Sequence, residues 1–90
     1  MKESAIESVL RAEVVKAGGL SYKLAPTVAG MPDRMIIHKG RIHLVELKTE
    51  TGRLSAGQVV LHRRMAEHGV TTIVLYGVDE VRAWVLDTLT

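Results

Sequence analysis

Cysteine is absent from the sequence, which excludes disulfide staples and thiolate zinc sites. Phenylalanine is absent too, and Tyr22, Tyr76 and Trp84 are the only aromatic residues, so aliphatic side chains must fill the core. There are two prolines, no internal repeat and no low-complexity stretch, so residues 1–90 read as a single domain. No window approaches the ~18 consecutive apolar residues of a membrane span. The opening Met-Lys-Glu-Ser carries no apolar run of the kind a signal peptide has. The expectation is a soluble, cytoplasmic protein with no membrane partner. Neither sign of charge dominates: 12 Lys and Arg stand against 10 Asp and Glu, a net charge of +2. This mild basicity is compatible with a phosphate-bearing partner, but many unrelated small proteins share it.

What is present is clear hydrophobic patterning. Ile6, Leu10, Val14 and Ala17 recur at spacings of three and four, so Lys2 to Ala17 reads as a helix stopped by Gly18-Gly19. A short strand is expected at Ser21 to Leu24, then a loop from Ala25 to Pro32. Asp33 to His38 and Arg41 to Lys48 read as two strands joined at Lys39-Gly40. After a polar loop, Ser55 opens a second helix running to about Glu67. Thr71 to Tyr76 is a β-branched run and reads as a strand. Gly77 leads into a last helix whose apolar face is Val81, Trp84, Val85 and Leu89. The order is α-β-β-β-α-β-α. The strand before the second helix and the strand after it should be parallel, giving an α/β fold with a mixed β-sheet flanked by helices.

The hairpin carries the chemistry. Alternate strand residues share a face, so Ile42, Leu44, Glu46 and Lys48 lie together, as do Asp33, Met35 and Ile37. A two-residue turn at Lys39-Gly40 pairs Ile37 with Ile42, Met35 with Leu44, and Asp33 with Glu46; a glycine bulge at Gly40 would shift that register. Directly opposed like charges repel. A divalent cation between the carboxylates removes the repulsion, and hard oxygen ligands suit magnesium. The competing reading is an ordinary charged strand end.

Gly30-Met31-Pro32-Asp33-Arg34, Val45-Glu46-Leu47-Lys48, and then Ser55 and Gln58 resemble the PD-(D/E)XK nucleases. Within them, the order of these pieces, the 12 residues between Asp33 and Glu46, and the Leu-Ser-x-x-Gln sequence are similar to the VRR-NUC (virus-type replication-repair nuclease) family. Nearly the whole chain is covered, from Glu3-x-x-Ile6 to the strand ending at Tyr76. Small stand-alone members occur in phages and bacteria, which would place the chain in a bacterial or phage-infected cell. The resemblance implies a restriction-endonuclease-like core, Mg2+ or Mn2+ as cofactor, and phosphodiester hydrolysis. It further implies that Asp33, Glu46 and the Leu47 carbonyl hold the metal, and that Lys48 orients or helps deprotonate the attacking water.

The family's helix-one acid falls on Glu3 or Glu7. Glu3 lies near the middle of the apolar stripe at 100° per residue and also matches the family pattern, whereas Glu7 lies at the stripe's edge. Gln58 is expected either to cap the second helix, since Ser55-x-x-Gln58 is a capping box, or to face the metal as the family pattern implies. Lys23, Arg34 and Arg53 are candidate DNA phosphate contacts. The four histidines form no metal spacing; His62 could line a DNA cleft or simply be solvated. The expected function is a DNA endonuclease acting on branched DNA such as four-way junctions. A homodimer is expected because two symmetric cuts need two sites. A non-catalytic nucleic-acid-binding module of the same fold and a small interaction domain are the alternatives.

Overall fold

The structure is a computed structural model and describes residues 1–90. Helix α1 (Glu3–Lys16) is followed by strands β1 (Leu20–Lys23), β2 (Arg34–His38) and β3 (Arg41–Lys48). Helix α2 (Ala56–Glu67), strand β4 (Thr72–Tyr76) and helix α3 (Gly77–Thr88) complete the chain. The element order expected from the patterning is therefore present, with boundaries displaced by one residue at α1, β1, β2 and β4. The four strands lie in the order β1-β2-β3-β4. The first two neighbours pair antiparallel and β3 runs parallel to β4, as a strand-helix-strand crossover requires.

Lys39 and Gly40 both have positive φ, 47° and 78°. That is the signature of a type I′ turn, whose twist matches the flanking strands. It removes the bulged alternative and fixes the register: Ile37 pairs with Ile42, Met35 with Leu44 and Arg34 with Val45. One residue further out, Asp33 comes to stand beside Glu46.

The register sorts the side chains onto two faces. Ile36, Val45, Leu47 and Leu75 are buried against Ile6, Leu10 and Val14 of α1 and Val78, Val81 and Val85 of α3. Trp84, half-buried, packs on this core and meets the His43 ring edge-on at 5.4 Å. On the opposite face Ile42 is 65% exposed, and Met35, Ile37 and Leu44 are only partly covered. Helix α2 lies on this second face, yet none of its residues is buried. Its position is held by other means. The Gly30 backbone, at φ +88°, rests so closely on the first turn of α2 that a Cβ there would meet the Gly57 carbonyl at 2.4 Å. Only glycine admits both that φ and that approach. The loop that carries Gly30-Met31-Pro32 is thereby clamped to the helix, with Pro32 buried beneath.

Candidate active site

Glu46 alternates with Val45 and Leu47, whose side chains enter the core, so its own side chain points to the α2 face. Despite this it is 1% exposed. A buried carboxylate needs partners, and the chain supplies an incomplete set. The Gln58 amide donates from Nε2 to Glu46 Oε2 at 3.0 Å. The other oxygen, Oε1, is buried and accepts no hydrogen bond. The Asp33 carboxyl is near enough to act on Glu46. Burial first, then the hydrogen bond and charge of Asp33, push the Glu46 carboxyl up to about 8; Lys48 acts in the opposite direction and Glu3 adds to the rise. The protein alone does not stabilise a second negative charge at this point.

Asp33 sits just before β2 and is anchored from both sides. Its Oδ2 accepts the Leu47 amide N–H at 2.8 Å, and its carbonyl accepts the Leu24 N–H at 2.9 Å. The first bond ties the end of β2 to β3 where the backbone ladder has run out, which keeps the two carboxyls side by side. These hard oxygen donors, one of them orphaned, fit a divalent cation better than they fit an empty polar cluster. No third His, Cys, Asp or Glu joins them in a ligand cluster.

Gln58 forms the expected cap and also reaches the carboxyl pair. Its Oε1 accepts from the Ser55 N–H at 2.8 Å while Ser55 Oγ accepts from the Gln58 N–H at 3.1 Å, a complete capping box. The amide nitrogen is left for Glu46. One side chain thus starts α2 and attaches it to the carboxyl pair.

In the first two turns of α1 the two candidate acids have different surroundings. Glu7 pairs with Arg34, Oε2 to Nη1 at 2.9 Å. Glu3 is exposed and shares a crevice with Lys23, Asp33 and Leu47, near enough for its charge to act on Glu46. Lys23 therefore stands at the site with its own charge exposed, and Arg53 is exposed in the loop before α2. Arg34 corrects an expectation. It is 6% exposed and its guanidinium is taken by Glu7 and by Ser21 Oγ at 2.8 Å, so it is not presented to a phosphate. It braces α1 and β1 against β2 instead. The adjacent Pro-Asp-Arg letters gave no sign of this, because the partner carboxylate lies 27 residues away.

His62 is closer to the site than solvation alone explains. Its Nε2 is buried without a partner, and burial, then the charge of Lys48, hold the imidazole below its usual value. The available signal was its spacing of four from Gln58, which puts both on one helical face.

No protein-family model matches the chain. It is 36% identical over 81 residues to "Putative nuclease p44" of Acyrthosiphon pisum secondary endosymbiont phage 1, covering 88% of this chain and 87% of that protein. A solved structure described as a "VRR_NUC domain" superposes with a TM-score of 0.84 at 24% identity, covering 96% of both chains. A second, a "VRR_NUC domain protein", gives 0.71 at 16% identity and covers 96% of this chain and 86% of that one. The fold is that of the VRR-NUC domain structures, and together with the name of the relative it supports a nuclease. The chain belongs to the VRR-NUC family.

Proposed function

We propose that the chain is a magnesium- or manganese-dependent endonuclease that hydrolyses DNA phosphodiester bonds at Asp33, Glu46 and Lys48. The observation that carries this reading is the buried, half-satisfied Glu46 carboxyl held against Asp33. Asp33 and Glu46 would hold the cation, with the Leu47 carbonyl as a further donor. A divalent cation bound there supplies Lewis acidity toward a phosphate oxygen and acidifies water. The chain's own groups do the rest. Lys48 brings a fixed positive charge to the place where negative charge grows during attack on phosphorus, and such preorganised charge is worth most in the transition state. Gln58 holds Glu46 in orientation, and Lys23 and Arg53 meet flanking phosphates. Glu3, at the mouth of the crevice, is the better placed of the two α1 acids to extend the acidic site.

Branched DNA is the proposed substrate class and a homodimer the proposed working form. Each chain carries one site, so two cuts across a junction call for a two-fold pair. The exposed apolar side chains Leu20, Tyr22, Ile42, Val59 and Val60 offer area for such an interface. Cleavage of four-way, flap and linear DNA under single turnover, with magnesium, manganese, calcium or chelator, tests the whole reading. Magnesium and manganese should support cutting, calcium should bind yet support little, and four-way DNA should be cut fastest. Equal cutting in excess chelator would overturn the metal-dependent mechanism.

A further inference from the structure

The first turns of α1 are tied to the carboxyl end of the hairpin by an ion pair that the proposed function does not use. Glu3 and Glu7 lie four residues apart and so on one side of α1. Both line a crevice of about 210 Å³ together with Lys23, Asp33 and Leu47. Only Glu7 is taken: its carboxylate meets the Arg34 guanidinium at 2.9 Å. Arg34 is fixed in turn by Ser21 Oγ at 2.8 Å and by burial. One peptide bond separates Arg34, which grips the helix, from Asp33, which stands beside Glu46.

Three features make this pair more than a brace. Ile6, Leu10 and Val14 bury the helix, but packing is non-directional. A charged hydrogen bond has a fixed donor and acceptor, and so sets the rotation of α1 about its axis. The first turn has no side-chain cap, since Lys2 makes no capping bond, and uncapped helix ends fray. Glu3 opens that turn, and the Glu7 carboxylate is tied down one turn further in. Without Arg34, finally, Glu7 would be a second free carboxylate in the crevice. The pair sorts the two acids: Glu7 is neutralised, and Glu3, which enters none of the side-chain hydrogen bonds or ion pairs, keeps its charge for the crevice.

We propose that Arg34 is a positioning residue for the cation site: through Glu7 it fixes the first turns of α1, so that the Glu3 carboxylate stays in the crevice with Asp33 and adds its charge to the metal-binding pair. This role rests on the metal-dependent reading of Asp33 and Glu46 given above. Position and field then act with opposite signs. Arg34 is a positive charge close to a site for a cation, so by Coulomb repulsion alone its removal strengthens cation binding. Where its work is to hold α1, its removal weakens cation binding instead.

The test is a calorimetric titration of the full chain with manganese in the absence of DNA. Arg34→Met should weaken manganese binding about tenfold or more, the usual effect of losing a residue that orients a metal site from outside the ligand set. Glu3→Gln should weaken it as well, and Arg34→Met should add little in that background, because both changes remove the same contribution. Arg34→Lys, which can still pair with Glu7, should recover most of the loss. Amide exchange of the metal-free Arg34→Met protein should rise at Ala5, Ile6 and Glu7 while the β2–β3 ladder stays protected. Glu7→Leu breaks the same bond from the helix side and serves as the second variant should Arg34→Met lose protection throughout. Its loss of affinity should likewise vanish in the Glu3→Gln background, whereas an effect of charge alone would add in full. A parent chain that bound no manganese would overturn this role together with the proposed function. Manganese bound by Arg34→Met as tightly as by the parent, or more tightly, would overturn this role alone.

Discussion

On the α1/α3 face of the sheet, Ile6, Leu10, Val14, Ile36, Val45 and Val81 are wholly enclosed. On the α2 face no helix residue is buried, and the most enclosed side chain is the Glu46 carboxyl. The first face is held by exclusion of water. The second is held by a handful of directed hydrogen bonds, from Ser55 to Gln58, from Gln58 to Glu46 and from Leu47 to Asp33. Packing is non-directional and spread over many residues, whereas each of those bonds has a specific donor and acceptor. Stability and chemistry should therefore respond to different substitutions, and four experiments can break or sharpen that separation.

The largest effect is expected in the core. Leu10→Ala should cost about 2–5 kcal/mol of unfolding free energy, the range for truncating an enclosed leucine, read by urea titration. Val60→Ala, at a side chain 49% exposed on α2, should stay within about 0.5 kcal/mol. Similar losses from the two would mean that α2 is packed as tightly as α1.

Lys48→Ala should do the reverse. Single-turnover cleavage is expected to fall on the order of 10²–10³, the effect of losing one preorganised stabilising group, with the melting temperature nearly unchanged. DNA affinity should fall only slightly, since one contact among several contributes modestly. A parental cutting rate with lost binding would make Lys48 an anchor and not a catalytic group.

The third experiment uses pH. Folding raises the Glu46 carboxyl from 4.5 to about 8, so within that interval the folded protein holds a proton that the unfolded chain releases. Stability must then fall as pH rises from about 5 to 8 and level off above, in the absence of metal. A tenfold difference in proton affinity between the folded and unfolded chains corresponds to about 1.4 kcal/mol. A drop of about 1 kcal/mol or more is therefore expected, and Glu46→Gln should abolish it. Manganese should raise the melting temperature more at pH 8 than at pH 5.5, because the ligating form is the deprotonated one. A metal-free protein that grew more stable across this interval would contradict the burial argument.

The smallest effect concerns the start of α2. Ser55→Ala should cost about 1 kcal/mol, and it should slow cleavage as well, because the Gln58 backbone N–H loses its acceptor, Ser55 Oγ, and the first turn that carries the Gln58 side chain to Glu46 loosens. Hydrogen exchange should show the loss of protection concentrated in α2. A global change with unaltered cleavage would separate the cap from the site.

Much of this was legible in the sequence. The helical spacing of Ile6, Leu10 and Val14, the Lys39-Gly40 turn and the Ser55-x-x-Gln58 box are local signals, and all three appear in the structure. From the turn alone, counting outward placed Asp33 beside Glu46. The face of β2 that enters the core was not legible. In Arg34-Met35-Ile36-Ile37-His38 the more apolar phase is Met35 and Ile37, yet the seating of α1 and α3 buries Arg34, Ile36 and His38 and leaves Met35 and Ile37 half covered. Arg34 itself depended on Glu7, a contact between distant parts of the chain that no local pattern announces.

The double attachment of Gln58 makes one position discriminate where its helix does not. A capping box accepts glutamate as readily as glutamine at this place, and the two have nearly equal helix propensity. Gln58→Glu would therefore leave the start of α2 intact, since a carboxylate oxygen can still accept the Ser55 N–H. What it cannot do, when ionised, is donate to Glu46. It would instead set a third negative group against a carboxyl already crowded by Asp33. The amide is thus an address written in a single nitrogen atom: the local backbone is indifferent to it, and only a neighbour twelve residues earlier in the chain reads it.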